Sequence, residues 1–114
     1  DAFDGLVRVY HNDTPCMHLV SRIGSLPFEV WNFSHEMEIA AVQQEVPGKA
    51  LMGNVPPLGI LAQGTPEQVG SWARSCIDKT GGRNLILSAG GGVSPGTTSD
   101  NIDALVLAAG AAGN

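Results

Sequence analysis

Apolar and polar positions along the chain follow two spacings, one typical of β-strands and one typical of helices, and segments of the two kinds alternate. Short apolar or alternating runs predict β-strands, and longer segments with apolar residues three and four apart predict helices. Each predicted strand is followed by a predicted helix, which is the order that produces a parallel sheet with right-handed crossovers. The predicted strands span residues 6–10, 28–33, 49–53 and 84–89, and the predicted helices span residues 14–23, 35–44, 65–79 and 100–110.

The ends of the predicted helices carry recognisable signals. Thr65, Pro66 and Gln68 have the spacing of a capping box with proline at the first helical position. This pattern predicts a sharp start for the third helix. The other predicted signals are Thr14 as an N-cap with Pro15 in the first turn, Gly24 and Gly48 as terminators, and Ser99 as the cap of the last helix.

Four strand–helix units define the predicted architecture. Successive strands begin about 20–35 residues apart, a spacing compatible with barrels and with doubly wound sheets. Four units cannot close an eight-stranded barrel, so the sequence predicts an α/β fold of about four parallel units. We expect one domain over residues 1–114, or a piece of one, since no linker or internal repeat divides the chain.

Charge and composition exclude two classes of function. The formal net charge is −5, and the six Lys and Arg residues are scattered, so nucleic-acid binding is not expected. No apolar run approaches the roughly 18 residues of a membrane helix, and no signal peptide is visible.

Cys16 and Cys76 do not look like a disulfide framework, and the cytoplasm is the expected location. The chain begins with Asp1 rather than Met, which suggests a processed or truncated product.

Polar residues follow the predicted strands, at the end of a parallel sheet where α/β proteins bind their ligands. His11 and Asp13 follow the first strand, and His35 follows the second. Two imidazoles and a carboxylate can hold zinc or iron(II) with open positions, and such a metal could activate a thiol or a water. Two alternatives stay open: these residues only cap helices, or they carry out acid–base chemistry without a metal.

The triplet Gly90-Gly91-Gly92 follows the fourth predicted strand. Backbone N–H groups near a helix start can cradle a phosphate, although the triplet lacks the lysine of a P-loop. The alternative is that a substrate or another stretch of backbone passes too close for any side chain. The glycines, together with Asn12 and Asn54 at the same end of the sheet, are the predicted substrate contacts.

Two stretches of the chain carry a family resemblance. LMGNVPPLGILAQGTPEQV and LILSAGGGVSPGTTSDNIDALVLAA resemble the C-terminal part of the uroporphyrinogen decarboxylase superfamily, which includes the decarboxylases of haem synthesis and the methylcobamide:thiol methyltransferases. The resemblance implies a TIM-type (α/β)₈ barrel of which this chain supplies the last four units. The matching positions are Gly53, Asn54, Pro56, Gly64, Thr65, Pro66, Glu67, Gly90, Gly92, Pro95 and Asn101.

The chain departs from the family pattern at the residues that carry chemistry. The middle of the last G-x-G loop is usually His in the decarboxylases and a zinc-binding Cys in the methyltransferases, whereas Gly91 stands here. The methyltransferases also carry His-x-Cys after an earlier strand, and the nearest match here is His11-x-Asp13. The resemblance therefore implies a rearranged site, with His11, Asp13 and His35 as candidate catalytic residues and candidate ligands for zinc.

Three functions follow from the resemblance. The parent chemistry is decarboxylation of a tetrapyrrole, metal-assisted methyl transfer from a corrinoid to a thiol, or none, the chain then being an inactive half-barrel that only assembles. The local residues favour methyl transfer slightly, because the four arginines, which would bind tetrapyrrole carboxylates, do not lie at the carboxyl ends of strands. They are Arg8, Arg22, Arg74 and Arg83.

Half a barrel would leave both of its edge strands unpaired and one apolar surface exposed. Such edges invite pairing, and large apolar patches usually bind a partner. We therefore expect a homodimer or pairing with a separate N-terminal half-barrel, unless the chain was cut from a longer protein. We also expect the isolated chain to be inactive, because half of the pocket wall would be missing.

Overall fold

The computed structural model describes residues 2 and 4–112, so residues 1, 3, 113 and 114 of the predicted domain lie outside the described residues. Its four strands are parallel and are paired in sequential order. Sequential order is typical of a barrel wall and lacks the reversal of a doubly wound sheet. The predicted parallel α/β fold is confirmed. The strands are β1, Val9–Asn12; β2, Val30–Phe33; β3, Ala50–Val55; and β4, Leu85–Ala89.

A helix follows each strand, as predicted, but only two of the four helices are long. The long helices, α3 and α4, pack against each other and against β4. Within residues 2 and 4–112, no helix is long and apolar enough to cross a membrane. The helices are α1, Val20–Ile23; α2, Ile39–Glu45; α3, Pro66–Thr80; and α4, Ser99–Ala112, with a 3-10 turn at Met17–Leu19 and a π-helical segment at Pro57–Ala62.

The main core surrounds β2, which is buried along its whole length because β1 and β3 flank it. Trp31 and Phe33 are fully buried there and pack with residues of α1 and α2. Burying one such large side chain contributes about 1.5–3 kcal/mol. A second, smaller cluster joins the end of the sheet to the π-helical segment and α3, and its members are Val55, Leu61, Val69 and Ala89.

The start of α3 confirms the predicted capping box. The Thr65 hydroxyl accepts a hydrogen bond from the Gln68 backbone N–H at 3.2 Å, and the Gln68 side chain accepts from the Thr65 N–H at 2.8 Å. Both bonds satisfy N–H groups that the first helical turn leaves unpaired. The helix ends at Gly81, whose φ of 69° is the left-handed conformation that favours glycine.

The first predicted strand is displaced along the chain. The prediction of a buried strand over residues 6–10 is wrong, because β1 begins at Val9 and includes His11 and Asn12. Leu6, Val7 and Val9 are 60%, 72% and 56% exposed. β1 is an edge strand that pairs only with β2 among the described residues, so apolar residues near it lack the cover that a central strand receives.

The first predicted helix, residues 14–23, forms only in part, because residues 14–16 are not helical and residues 17–19 form a 3-10 turn. Thr14 is not an N-cap; its backbone N–H donates to the Asn12 side chain at 3.0 Å. This local bond offers the backbone an alternative to the helix. Only the 3-10 turn and the single turn of α1 form, and Gly24 follows α1 as predicted.

Three further boundaries differ from the prediction. The helix predicted from residue 35 starts at Ile39, because the Ser34 hydroxyl accepts from the Glu36 N–H at 3.1 Å and holds a turn there. The last helix is capped by Thr98, whose hydroxyl accepts from the Asn101 N–H at 3.2 Å, rather than by Ser99. β3 continues through Asn54 to Val55, two residues beyond its predicted end.

Candidate functional site

His11 and Asp13 face each other at the carboxyl end of β1. The His11 Nε2 atom lies 4.0 Å from Asp13 Oδ2, and the two side chains are 58% and 51% exposed. The other ring nitrogen, Nδ1, lies 2.7 Å from the side-chain oxygen of Asn32 on β2. The His11 ring therefore has one nitrogen in hydrogen-bond contact with Asn32 and one nitrogen facing the Asp13 carboxylate.

Asn32 is a buried neighbour of His11 that the sequence did not predict. Its side chain is buried, and its amide donates to the backbone carbonyls of Met52 at 2.8 Å and Ala89 at 3.2 Å. One amide thus joins β2 to β3, to β4 and, through His11, to β1. The only sequence signal is a polar residue inside the apolar run Val30–Phe33, which does not say what that residue contacts.

The glycine triplet lies against the ends of β1 and β2. A Cβ atom placed on Gly90 would come within 2.5 Å of the His35 backbone nitrogen, and one on Gly91 would come within 2.7 Å of Asp13 Oδ2. Gly91 also has a φ of 136°, which side chains rarely adopt. The approach of other groups explains why glycine stands at positions 90 and 91, whereas a Cβ on Gly92 would meet no atom within 4 Å.

His35 is partly buried beside Gly90. Its Nδ1 atom is buried and has no hydrogen-bond partner among the described residues. In the part of the chain that the structure describes, no three His, Cys, Asp or Glu side chains converge to hold a metal ion. His11, Asp13 and His35 are therefore not arranged as a three-ligand zinc site, and zinc binding stays a prediction.

The two asparagines predicted to contact substrate make hydrogen bonds within the protein. Asn12 donates to the Tyr10 hydroxyl at 3.1 Å and accepts from the Thr14 N–H. Asn54 is buried, donates to the carbonyls of Ser34 at 3.3 Å and Met37 at 2.8 Å, and accepts from the Cys76 thiol at 3.4 Å. Both amides hold local structure, and their contact with a substrate stays a prediction.

A cavity of about 580 Å³ lies between the start of α2 and α3. Its lining includes His35, the Asn54–Cys76 pair, and an ion pair of 3.1 Å between Lys79 and Glu38. Burial raises the pKa of the Cys76 thiol above its usual value of 9.0. The thiol is therefore protonated at neutral pH and is not an activated nucleophile.

Sequential parallel strands with polar side chains and a glycine loop at their carboxyl ends define the wall of a TIM-type barrel. Residues 3–111 match the family model described as uroporphyrinogen decarboxylase (URO-D). The chain belongs to the uroporphyrinogen decarboxylase family, as the sequence motifs predicted.

Curated relatives support this assignment, and a solved structure supports the fold. The chain is 31% identical to the uroporphyrinogen decarboxylase of Synechococcus sp. (strain CC9605) over 90% of its length, and 31% identical to that of Prochlorococcus marinus (strain NATL1A) over 84%. It spans only 31% and 29% of these relatives. A methyltransferase from Methanosarcina mazei shares the fold, with a TM-score of 0.85 and 22% identity over 94% of this chain and 32% of that structure.

Proposed function

We propose that the protein forms part of a decarboxylase that acts on a carboxylated small molecule, with His11 exchanging the proton that the reaction requires. Loss of CO2 breaks a carbon–carboxyl bond and leaves an electron pair on the carbon, where a proton forms the new C–H bond. Imidazole is the side chain best suited to move a proton near neutral pH. The observation that carries the proposal is the exposed His11 Nε2 atom opposite Asp13.

Asp13 faces the reacting nitrogen of His11 in this proposal. Its carboxylate lies 4.0 Å from Nε2, and the exposure of both side chains keeps the electrostatic interaction between them modest. The two side chains are exposed enough for a substrate group to approach beside them. Asn12 and the backbone N–H groups of Gly91 and Gly92 are the proposed substrate contacts in this chain. The Gly90 N–H is not one of them, because it already donates to the Val55 carbonyl at 2.9 Å.

The proposed substrate is a tetrapyrrole, because the curated relatives are uroporphyrinogen decarboxylases. The chain has a net charge of −5, and none of its arginines lies at the carboxyl end of a strand. We therefore propose that the arginines that bind the substrate carboxylates come from outside this chain. We propose that the rest of the barrel wall is supplied by further polypeptide, a second copy or a separate half-barrel, in the cytoplasm.

The test is decarboxylation of uroporphyrinogen by the complete assembly that contains this chain. We expect His11→Gln to lower the rate by about 10²–10⁴-fold, the usual contribution of a general acid or base. His18→Gln is the matched control, because His18 is an exposed histidine in the 3-10 turn. A His11→Gln variant with full activity would contradict the proposed role.

The second candidate is metal-assisted methyl transfer from a corrinoid to a thiol. Its support is the pair of potential ligands, His11 Nε2 and Asp13 Oδ2, at the same strand end. We propose elemental analysis of the purified protein and of its His11→Ala variant. Near-stoichiometric zinc that is lost in the variant would favour this candidate, and zinc content unchanged by the variant would reject His11 as a ligand.

The third candidate is an inactive half-barrel that serves only in assembly. It is favoured by the exposed apolar residues beside the β1 edge. A stable oligomer with neither decarboxylase nor methyltransferase activity would support it. Activity that depends on His11 would reject it.

A further inference from the structure

The orientation of the Asn32 amide is determined by its surroundings. Its two N–H groups donate to the carbonyl oxygens of Met52 and Ala89 at 2.8 and 3.2 Å. Exchanging the amide oxygen and nitrogen would place the oxygen against two other acceptors and remove both hydrogen bonds, which is costly. Because Asn32 is only 6% exposed, water cannot readily replace these bonds.

This orientation places the Asn32 oxygen 2.7 Å from His11 Nδ1. An amide oxygen only accepts hydrogen bonds, so Nδ1 has to carry the proton of the neutral imidazole. The lone pair then resides on Nε2, the nitrogen that faces Asp13. We propose that Asn32 is a positioning residue that selects the Nδ1–H tautomer of His11, so that Nε2 is the atom that exchanges a proton with the substrate.

Asn32 also sets where the His11 ring lies. The carbonyl of Ala89 that it binds directly precedes the glycine triplet, and Gly91 in that triplet abuts Asp13. The same side chain therefore relates the His11 ring to the loop that contacts Asp13. An imidazole that is more than half exposed would otherwise rotate freely, so a buried anchor is what gives it a defined direction.

The inference rests on the proposed function for its catalytic consequence, but its structural part can be tested separately. Nitrogen-15 NMR of the imidazole rings, with His11 assigned through the spectrum of His11→Gln, reports which nitrogen is protonated in the neutral ring. We expect Nδ1–H in the unmodified protein. An Nε2–H tautomer there overturns the proposal, whatever happens to any variant.

Asn32→Ser removes the acceptor, and Asn54→Ser is the matched control. Asn54 is also a buried asparagine that donates to two carbonyls, but its oxygen binds Cys76 rather than a histidine. We expect Asn32→Ser to convert His11 to a mixture of tautomers and Asn54→Ser to leave it as Nδ1–H. Folded Asn32→Ser protein with an unchanged His11 tautomer overturns the proposal.

The kinetic readout separates positioning from binding. We expect Asn32→Ser to lower kcat by about 10–100-fold with little change in KM, the size of effect that a misplaced reacting group produces. A changed tautomer with unchanged kcat overturns the positioning role. Full activity of His11→Gln together with a confirmed Nδ1–H tautomer instead rejects the proposed function and leaves the tautomer assignment standing.

Discussion

A side chain at position 91 would overlap the Asp13 carboxylate at the carboxyl end of the sheet. The Asp13 carboxylate lies where a Cβ on residue 91 would point, 2.7 Å from its position. Glycine at position 91 therefore leaves the space that the Asp13 carboxylate occupies.

We expect Gly91→Ala to lower the free energy of unfolding by about 1–2 kcal/mol for the left-handed backbone alone, and further for the contact with Asp13. Adding Asp13→Ala should recover the contact part, which a double-mutant cycle in urea would measure. Gly92→Ala is the control, because its Cβ would meet no atom. Equal losses for Gly91→Ala and Gly92→Ala would contradict this explanation.

The buried thiol of Cys76 makes the free energy of unfolding depend on pH in the alkaline range. Burial raises its pKa above the ordinary 9.0, so the folded protein holds the proton after the unfolded chain has lost it. The free energy of unfolding should therefore fall as pH rises above about 9. Cys76→Ser should show a shallower decline between pH 8 and 11 in denaturant titrations, although burial of Cys16 adds a similar dependence. Identical slopes for both proteins would reject this role for Cys76.

Single residues differ in how far the sequence reveals them. His11, Asp13 and the glycine triplet could be located because their order after predicted strands places them at one end of a parallel sheet. Asn32 could not, because a polar residue within an apolar strand gives no sign of its partners across β3 and β4. Nor could the sequence show that His35 does not converge with His11 and Asp13.

At the scale of elements, the capping-box signal gave a correct boundary, and local side-chain bonds explain the late starts of the first two helices. α3 begins at its capping box as predicted. The first two helices begin late because Asn12 and Ser34 bind nearby backbone N–H groups and hold turns instead. Such bonds depend on the backbone conformation, which propensity and periodicity do not specify.

The cap of α4 provides a direct test of an element boundary. We expect Thr98→Ala to lower the free energy of unfolding by about 1 kcal/mol, because the Thr98 hydroxyl accepts from the Asn101 N–H. Ser99→Ala, one residue later, should change it by less than about 0.5 kcal/mol. Chemical denaturation of the two variants distinguishes the caps, and the reverse ranking would restore Ser99 as the capping residue.

At the scale of the whole molecule, the sheet exposes the apolar side of its first edge. Val9 lies on β1 and is 56% exposed, in a strand that pairs only with β2 within residues 2 and 4–112. Parallel order and fold class could be predicted because they follow from strand–helix alternation. The partner that covers this edge could not be predicted, because the chain spans only about a third of the length of its curated relatives.

We expect the 114-residue chain, expressed alone, to associate in a concentration-dependent manner through this edge. Val9→Lys should weaken the association, since a charge on an edge strand opposes pairing. Val93→Lys is the control, because Val93 is equally exposed in the loop before α4. Static light scattering would measure the molar mass of each protein. A monomer at every concentration would show that the edge does not bind a second copy.

The sequential strand order also affects which parts of the sheet open first. Val9 pairs with Val30, Val30 with Ala50, and Leu51 with Leu85. The chain segments between these partners are similar in length, so the entropic costs of closing them differ by less than about 0.6 kcal/mol. Burial therefore decides local stability, and the buried β2 should exchange its amide hydrogens more slowly than the partly exposed β1. Hydrogen exchange as fast in β2 as in β1 would contradict this. We therefore expect the candidate proton carrier, His11, to lie on a strand that opens more readily than the strand of its partner Asn32.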